Sequence, residues 1–176
     1  METTTRVLVI RFSSMGDVIL TSPVVRALHL MLDGPVEVHF LTKRAFVDAV
    51  EGLPGVTRTW AIDRTTAEVE EGLRGVGFHY VVDLHANARS GFVKRALRKG
   101  EGRTFDLTVD KRSLDKILLV RTGWDRLGGQ HVVERYLSAL RPFGDALERL
   151  RKEGDEGRLA LPPSPSSADE IGRAHV

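Results

Sequence analysis

The stretch Arg11-Phe-Ser-Ser-Met-Gly-Asp17 sets two serines, a glycine and a carboxylate at one junction of the chain. Two chemistries fit those residue types at that spacing. Ser14-Met-Gly-Asp17 matches S-x-x-D, a variant of the capping box, in which the first side chain accepts from an amide three residues on and the carboxylate reaches back. An aspartate there also suits the positive end of a helix dipole. Alternatively, a carboxylate held rigidly at a strand-to-helix turn takes a proton from a substrate hydroxyl, and Gly16 lets backbone or substrate come close. Spacing alone favours the cap, because caps are far commoner than catalytic aspartates.

The elements on either side decide where this junction points. "RVLVIRF", residues 6–12, is a continuous β-branched run, the pattern of a parallel strand buried on both faces. Apolar residues at Val18, Val25, Leu28 and Leu32 then recur at helical spacing, with a kink or restart at Ser22-Pro23. "VEVHFL", "VTRTWAI" and "HYVVDL" read as three further strands. Between them "RAFVDAVEGLPG" and "TTAEVEEGLRGVG" read as helices closed by glycine or proline. "GRTFDLTV" reads as another strand, and "HVVERYLSALRPFG" as a helix with apolar positions at Val132, Val133, Tyr136, Leu137 and Leu140.

Strand and helix in alternation, with short connections, predict an α/β fold with a Rossmann-like, doubly wound parallel sheet. Ligands of such sheets lie beyond the carboxyl ends of the strands. Ser13 to Asp17, after the first strand, and "DLHANARS", residues 83–90, after the fourth, therefore share one edge. His85 falls close to that edge, where a ligand contact and an ordinary packed histidine are both open readings.

Composition narrows the partners. The 176 residues are 41% hydrophobic and 28% charged, with a formal charge of +2. Between residues 87 and 121 there are ten basic residues against four acidic ones, which fits an anionic partner or a solvated basic face. Absence of cysteine excludes disulfides and thiolate metal sites. The six histidines never fall at paired-ligand spacing, so no metal is expected. "GLRGVG" precedes a strand instead of following one, so it reads as a helix end and not as a dinucleotide loop. Basic and aromatic residues do not alternate, so no nucleic-acid partner is expected. The N-terminus lacks the pattern of a secretion signal, and the most apolar window, residues 18–32, is too short and too interrupted to span a membrane.

"RVLVIRFSSMGDVILTSPVVRALH" resembles the opening of the family 9 glycosyltransferases, the ADP-heptose:lipopolysaccharide heptosyltransferases. "DLHANARS" resembles their segment after the fourth strand, through Asp83, Arg89 and Ser90. "HVVERYLSAL" resembles a later His-x-x-Glu-Arg helix, through His131, Glu134 and Arg135. The resemblance implies a GT-B architecture of two Rossmann-like domains, of which this chain carries the N-terminal, acceptor-binding one. It implies an inverting, metal-independent transfer without cofactor, with Asp17 as general base and the donor ADP-heptose bound mainly by an absent C-terminal domain. Ser13, Ser14, Met15, Gly16, Asp83, His85, Arg89 and Ser90 are then substrate-binding candidates.

The implied partner is the lipopolysaccharide core acceptor, whose phosphates and acidic sugars suit Arg89 and, less directly, Lys94, Arg103, Lys111 and Arg112. Some of these basic residues could instead face anionic lipid, in peripheral contact with the cytoplasmic side of the inner membrane. Competing readings are another GT-B sugar-nucleotide enzyme and a non-catalytic module for anionic glycolipid. By composition the domain covers residues 1–144. Residues 145–170, charged and then rich in proline and serine, read as a linker into the missing domain. The last six residues, 171–176, match one frame of a widely used sequencing adapter, which predicts that the natural gene continues.

Overall fold

A computed structural model of the chain describes residues 3–98, 104–109 and 128–153. Five strands form one parallel sheet: β1 (Thr5–Ile10), β2 (Val36–Lys43), β3 (Val56–Ile62), β4 (Tyr80–Asp83) and β5 (Phe105–Thr108), in the order β3-β2-β1-β4-β5. The chain thus moves outward from β1 to one edge and returns to build the other. The reversal lies at β1, between β2 and β4, where ligand crevices of open α/β sheets form.

Alternation along β1 explains why its sequence has no polar face. Val7 and Val9 belong to the core on one side of the sheet, and Leu8 and Ile10 to the core on the other. All four are fully buried. The first core is covered by α1 (Met15–Ile19), α2 (Ser22–Met31), α3 (Val47–Glu51) and α6 (Gly128–Leu137). The second is covered by α4 (Ala67–Val76) and α5 (Ala88–Leu97), through Leu73, Val93 and Leu97. Helices on both faces of a parallel sheet make the fold the Rossmann-like, doubly wound α/β arrangement that the alternation predicts.

Breaks fall where residue chemistry puts them. The helix after β1 stops at Leu20 and restarts at Ser22, with Pro23 in the first turn, where its missing N–H costs no hydrogen bond. α4 ends on Gly77 in the left-handed region, at φ 70°. "RAFVDAVEG" opens with a short 3-10 turn, Arg44–Phe46, before α3. The helix expected over "HVVERYLSALRPFG" is α6 followed by a 3-10 segment, Ser138–Phe143, that contains Pro142.

One boundary moves. Residues 145–153 carry the composition expected of a linker, yet Ala146–Lys152 is a helix, α7, packed with α2 and buried through Ala146 and Leu150. Asp145 caps it by accepting from the Glu148 amide at 3.0 Å. An i, i+4 apolar pair beneath a charged surface suffices to dock such a short helix, so the packed unit continues past Gly144. The linker reading for 154–170 and the adapter reading for 171–176 lie outside the described residues. So do Arg103, Lys111 and Arg112. No helix among the described residues is long and apolar enough to cross a membrane.

Candidate functional site

Asp17 lies in the first turn of α1, whose first backbone bond runs from the Val18 amide to the Ser14 carbonyl at 2.9 Å. The reaching-back half of the capping box is present: the Ser14 amide donates to Asp17 Oδ2 at 3.1 Å, and the Ser14 hydroxyl donates to the same oxygen at 3.0 Å. Two further groups, neither singled out by the motif, complete the shell. Arg11 Nη2 lies 2.7 Å from Oδ2, and the Tyr136 hydroxyl donates to Oδ1 at 3.1 Å. The Asp17 side chain keeps 30% of its surface exposed, so the cap leaves it open to a ligand.

Burial acts to raise the Asp17 pKa. The Ser14 amide, the charge and hydrogen bond of Arg11, and the Ser14 hydroxyl outweigh it and hold the carboxyl below its usual value. Arg11 also donates from Nη1 to the Leu84 carbonyl at 2.6 Å, so one guanidinium ties the turn after β1 to the loop after β4. Tyr136 comes from α6, is fully buried, and has the guanidinium carbons of Arg11 and Arg135 at 5.4 and 5.3 Å from its ring centroid. Burial above all, with the charge and hydrogen bond of Asp17, pushes its phenol up to about 12 against the two arginines.

On the same sheet edge the carboxyl ends of four strands form a cleft of about 680 Å³, whose lining does not include Asp17 itself. Phe12 and Ser13 line it after β1, and Lys43 at the end of β2. Arg64, Thr65 and Thr66 enter from the β3–α4 connection, and His85, Asn87, Arg89 and Phe92 from the β4–α5 loop and α5. Lys43, Arg64 and Arg89 form no ion pair with another described residue. Arg89 lies over Phe12, with its guanidinium carbon 5.8 Å from the ring centroid. His85 meets the same ring edge-on at 5.2 Å. Burial above all, with the charges of Arg11 and Arg89, lowers the His85 pKa to about 4, so the imidazole is neutral at pH 7.

The connection that presents Arg64 is held by the Arg44–Asp63 ion pair at 3.3 Å and by Glu68. Glu68 accepts from the amides of Asp63, Arg64 and Thr65 at 2.7, 2.9 and 2.7 Å. These backbone bonds lower its pKa to about 2.

The structure divides the expected substrate-binding residues. Ser13, His85 and Arg89 line the cleft, while Ser14 and the exposed Met15 belong to the Asp17 turn. A methyl group built on Gly16 meets nothing within 4 Å, so no packing within the described chain requires glycine there.

Asp83 and Ser90 face inward, with 1% and 0% exposure. Asp83 Oδ1 accepts from the His85 and Ala86 amides at 3.0 and 2.7 Å, and its Oδ2 lies 3.0 Å from Lys94 Nζ. Ser90 is the third residue of α5 and exchanges hydrogen bonds with Asn87, the cap. These two shape the β4–α5 loop and do not line the cleft. Lys94 is likewise engaged internally, between Asp83, Asp106 and Thr108. Glu134 is exposed on α6, and the side chain of His131 lies outside the described set.

The site thus combines a clamped carboxylate and a cationic cleft on the ligand edge of a Rossmann-like parallel sheet. Its fold is similar to that of glycosyltransferases. A family 9 glycosyl transferase from Veillonella parvula DSM 2008 matches over 80% of this chain and 41% of its own, at 20% identity and a TM-score of 0.59. The E. coli heptosyltransferase WaaC with ADP matches over 78% of this chain and 47% of its own, at 18% identity and a TM-score of 0.55. The same enzyme with ADP-2-deoxy-2-fluoro heptose matches over 77% and 48%, at 15% identity and a TM-score of 0.52. The chain thus spans less than half the length of these solved chains. No family model and no curated protein matches the sequence.

Proposed function

We propose that the chain is the acceptor-binding half of an inverting glycosyltransferase that transfers heptose from ADP-heptose to the lipopolysaccharide inner core. The observation that supports it best is the pairing, on one sheet edge, of the Asp17 carboxylate with a cleft carrying Lys43, Arg64 and Arg89. Phosphate and carboxylate groups of an acceptor would meet those cations through charge-assisted hydrogen bonds, and neutral His85 would sit against a sugar without adding charge. The donor would be held mainly by a second domain, so this chain alone binds acceptor and transfers nothing. Peripheral contact with the cytoplasmic face of the inner membrane belongs to the same reading, since the acceptor is a lipid.

In this reading Asp17 receives the acceptor's proton. A carboxyl with a depressed pKa has little proton affinity in the ground state, so the proton moves as bonding to carbon proceeds. The acceptor oxygen bonds to the anomeric carbon, the bond from that carbon to the ADP oxygen breaks, and ADP leaves with the electron pair. Holding carboxylate and hydroxyl in register supplies much of the effect. In a protein carrying both halves, Asp17→Asn cuts transfer by ~10²–10⁴-fold without loss of the folded state; undiminished transfer would return Asp17 to capping alone.

Binding is tested on the chain itself by amide NMR during titration with deacylated inner-core oligosaccharide. Shifts concentrated at Ser13, Arg64, His85 and Arg89 support the reading. A saturating titration that leaves the cleft unperturbed would overturn it.

A further inference from the structure

The four donors to Asp17 are shared unevenly between its oxygens. Arg11 Nη2, the Ser14 amide and the Ser14 hydroxyl converge on Oδ2 at 2.7, 3.1 and 3.0 Å. Oδ1 receives the Tyr136 hydroxyl alone, at 3.1 Å. A carboxylate oxygen offers about two lone-pair directions. Oδ2 is therefore saturated, and Oδ1 keeps one direction open.

We infer that Tyr136 is a positioning residue for Asp17: its buried hydroxyl fixes Oδ1 and leaves that oxygen as the one facing an incoming acceptor hydroxyl. The inference rests on the general-base reading of Asp17. Tyr136 is fully buried and acts through the carboxylate.

Its surroundings suit the role. The ring comes from α6, 119 residues from Asp17 in sequence, and is held near two guanidiniums, Arg11 and Arg135. A tyrosine hydroxyl in a protein interior finds a partner, and here the partner is an ion. Because the phenol ionises only near 12, it is protonated at neutral pH and donates there to the ionised Asp17. The charged groups acting on the pair are Arg11, on both members, and Arg135, on the phenol, while the Asp17 charge in turn acts on the neutral His85 imidazole. A helix at the far end of the packed unit thus sets the orientation of a carboxylate near its beginning.

The test uses the 176-residue chain. Tyr136→Phe keeps the ring and removes only the donor. Carboxyl-carbon NMR then follows Asp17 through acid titration, with amide spectra reporting the fold. Loss of a donor to the ionised form raises the Asp17 pKa; an unchanged titration in the folded variant would overturn the inference.

The reciprocal variant, Asp17→Asn, decides the matter if Tyr136→Phe does not fold. Removing the carboxylate brings the Tyr136 ionisation, followed by ultraviolet absorbance, down from about 12. An unmoved phenol would show that the two groups are not coupled. Neither result depends on transfer activity, so the positioning role and the general-base reading fail separately.

Discussion

At the scale of the residue, the geometry of Asp17 is compatible with both chemistries that its motif leaves open. The carboxylate accepts the reach-back bonds of a cap and remains partly exposed on the sheet edge that carries the cationic cleft. The motif shows neither Arg11 nor Tyr136, for different reasons. Arg11 stands at the end of an apolar strand, and a basic residue there needs an anion and a carbonyl when buried, a demand the sequence states without naming the partners. Tyr136 sits at an apolar helical position, and nothing local distinguishes it from core.

The clamp on Asp17 has a pH consequence. Its pKa is lower in the folded chain than the 3.8 of the free side chain, so between the two values the unfolded state binds more protons and stability rises with pH. Its stabilising contribution is complete above the unfolded value and is lost as pH falls through the folded one. Denaturant titrations of wild type and Asp17→Asn at descending pH check this: the stability gap between them narrows in acid. A gap that widens would contradict the assignment.

At the scale of the element, the alternation of strands and helices was legible because the central strand β1 is an apolar run and α3 and α4 each end on a glycine. The loops were legible only in part. Asp83 and Ser90 lie in the segment after β4, but residue type alone does not separate a side chain that lines a cleft from one that holds a turn. The buried Asp83 bonds its own loop amides, whereas Arg89, in the same segment, faces the cleft.

Glu68, which the sequence offers as an ordinary acidic residue in a first helical turn, organises the loop carrying Arg64. Glu68→Ala therefore speeds amide hydrogen exchange at residues 63, 64 and 65 with little effect elsewhere; unaltered exchange there would show that the loop holds itself. Gly72 and Gly75 form a second pair for comparison in α4. A methyl group on Gly72 comes within 2.7 Å of the Trp60 ring, while one on Gly75 meets nothing within 4 Å. Gly72→Ala destabilises by about 1–3 kcal/mol through overpacking, and Gly75→Ala stabilises by about 1 kcal/mol through helix propensity. Thermal unfolding distinguishes them, and equal effects would contradict the packing described.

At the scale of the whole molecule, composition places the end of the domain at Gly144, and packing carries it through α7. Charge dominates an average taken over residues 145–153, whereas Ala146 and Leu150 decide where the helix docks. Leu150→Ala should cost about 2–5 kcal/mol of stability, read from denaturant unfolding; a loss within about half a kcal/mol would return α7 to the linker.

What the cleft binds decides the proposed function. Isothermal calorimetry of deacylated inner-core oligosaccharide, against wild type and the Arg64→Ala and Arg89→Ala variants, tests it most directly. The account predicts binding that weakens roughly tenfold or more with each lost guanidinium, since hydrogen bonds to charged groups contribute about 1.5–3 kcal/mol. Absence of binding, or binding indifferent to both substitutions, would contradict it.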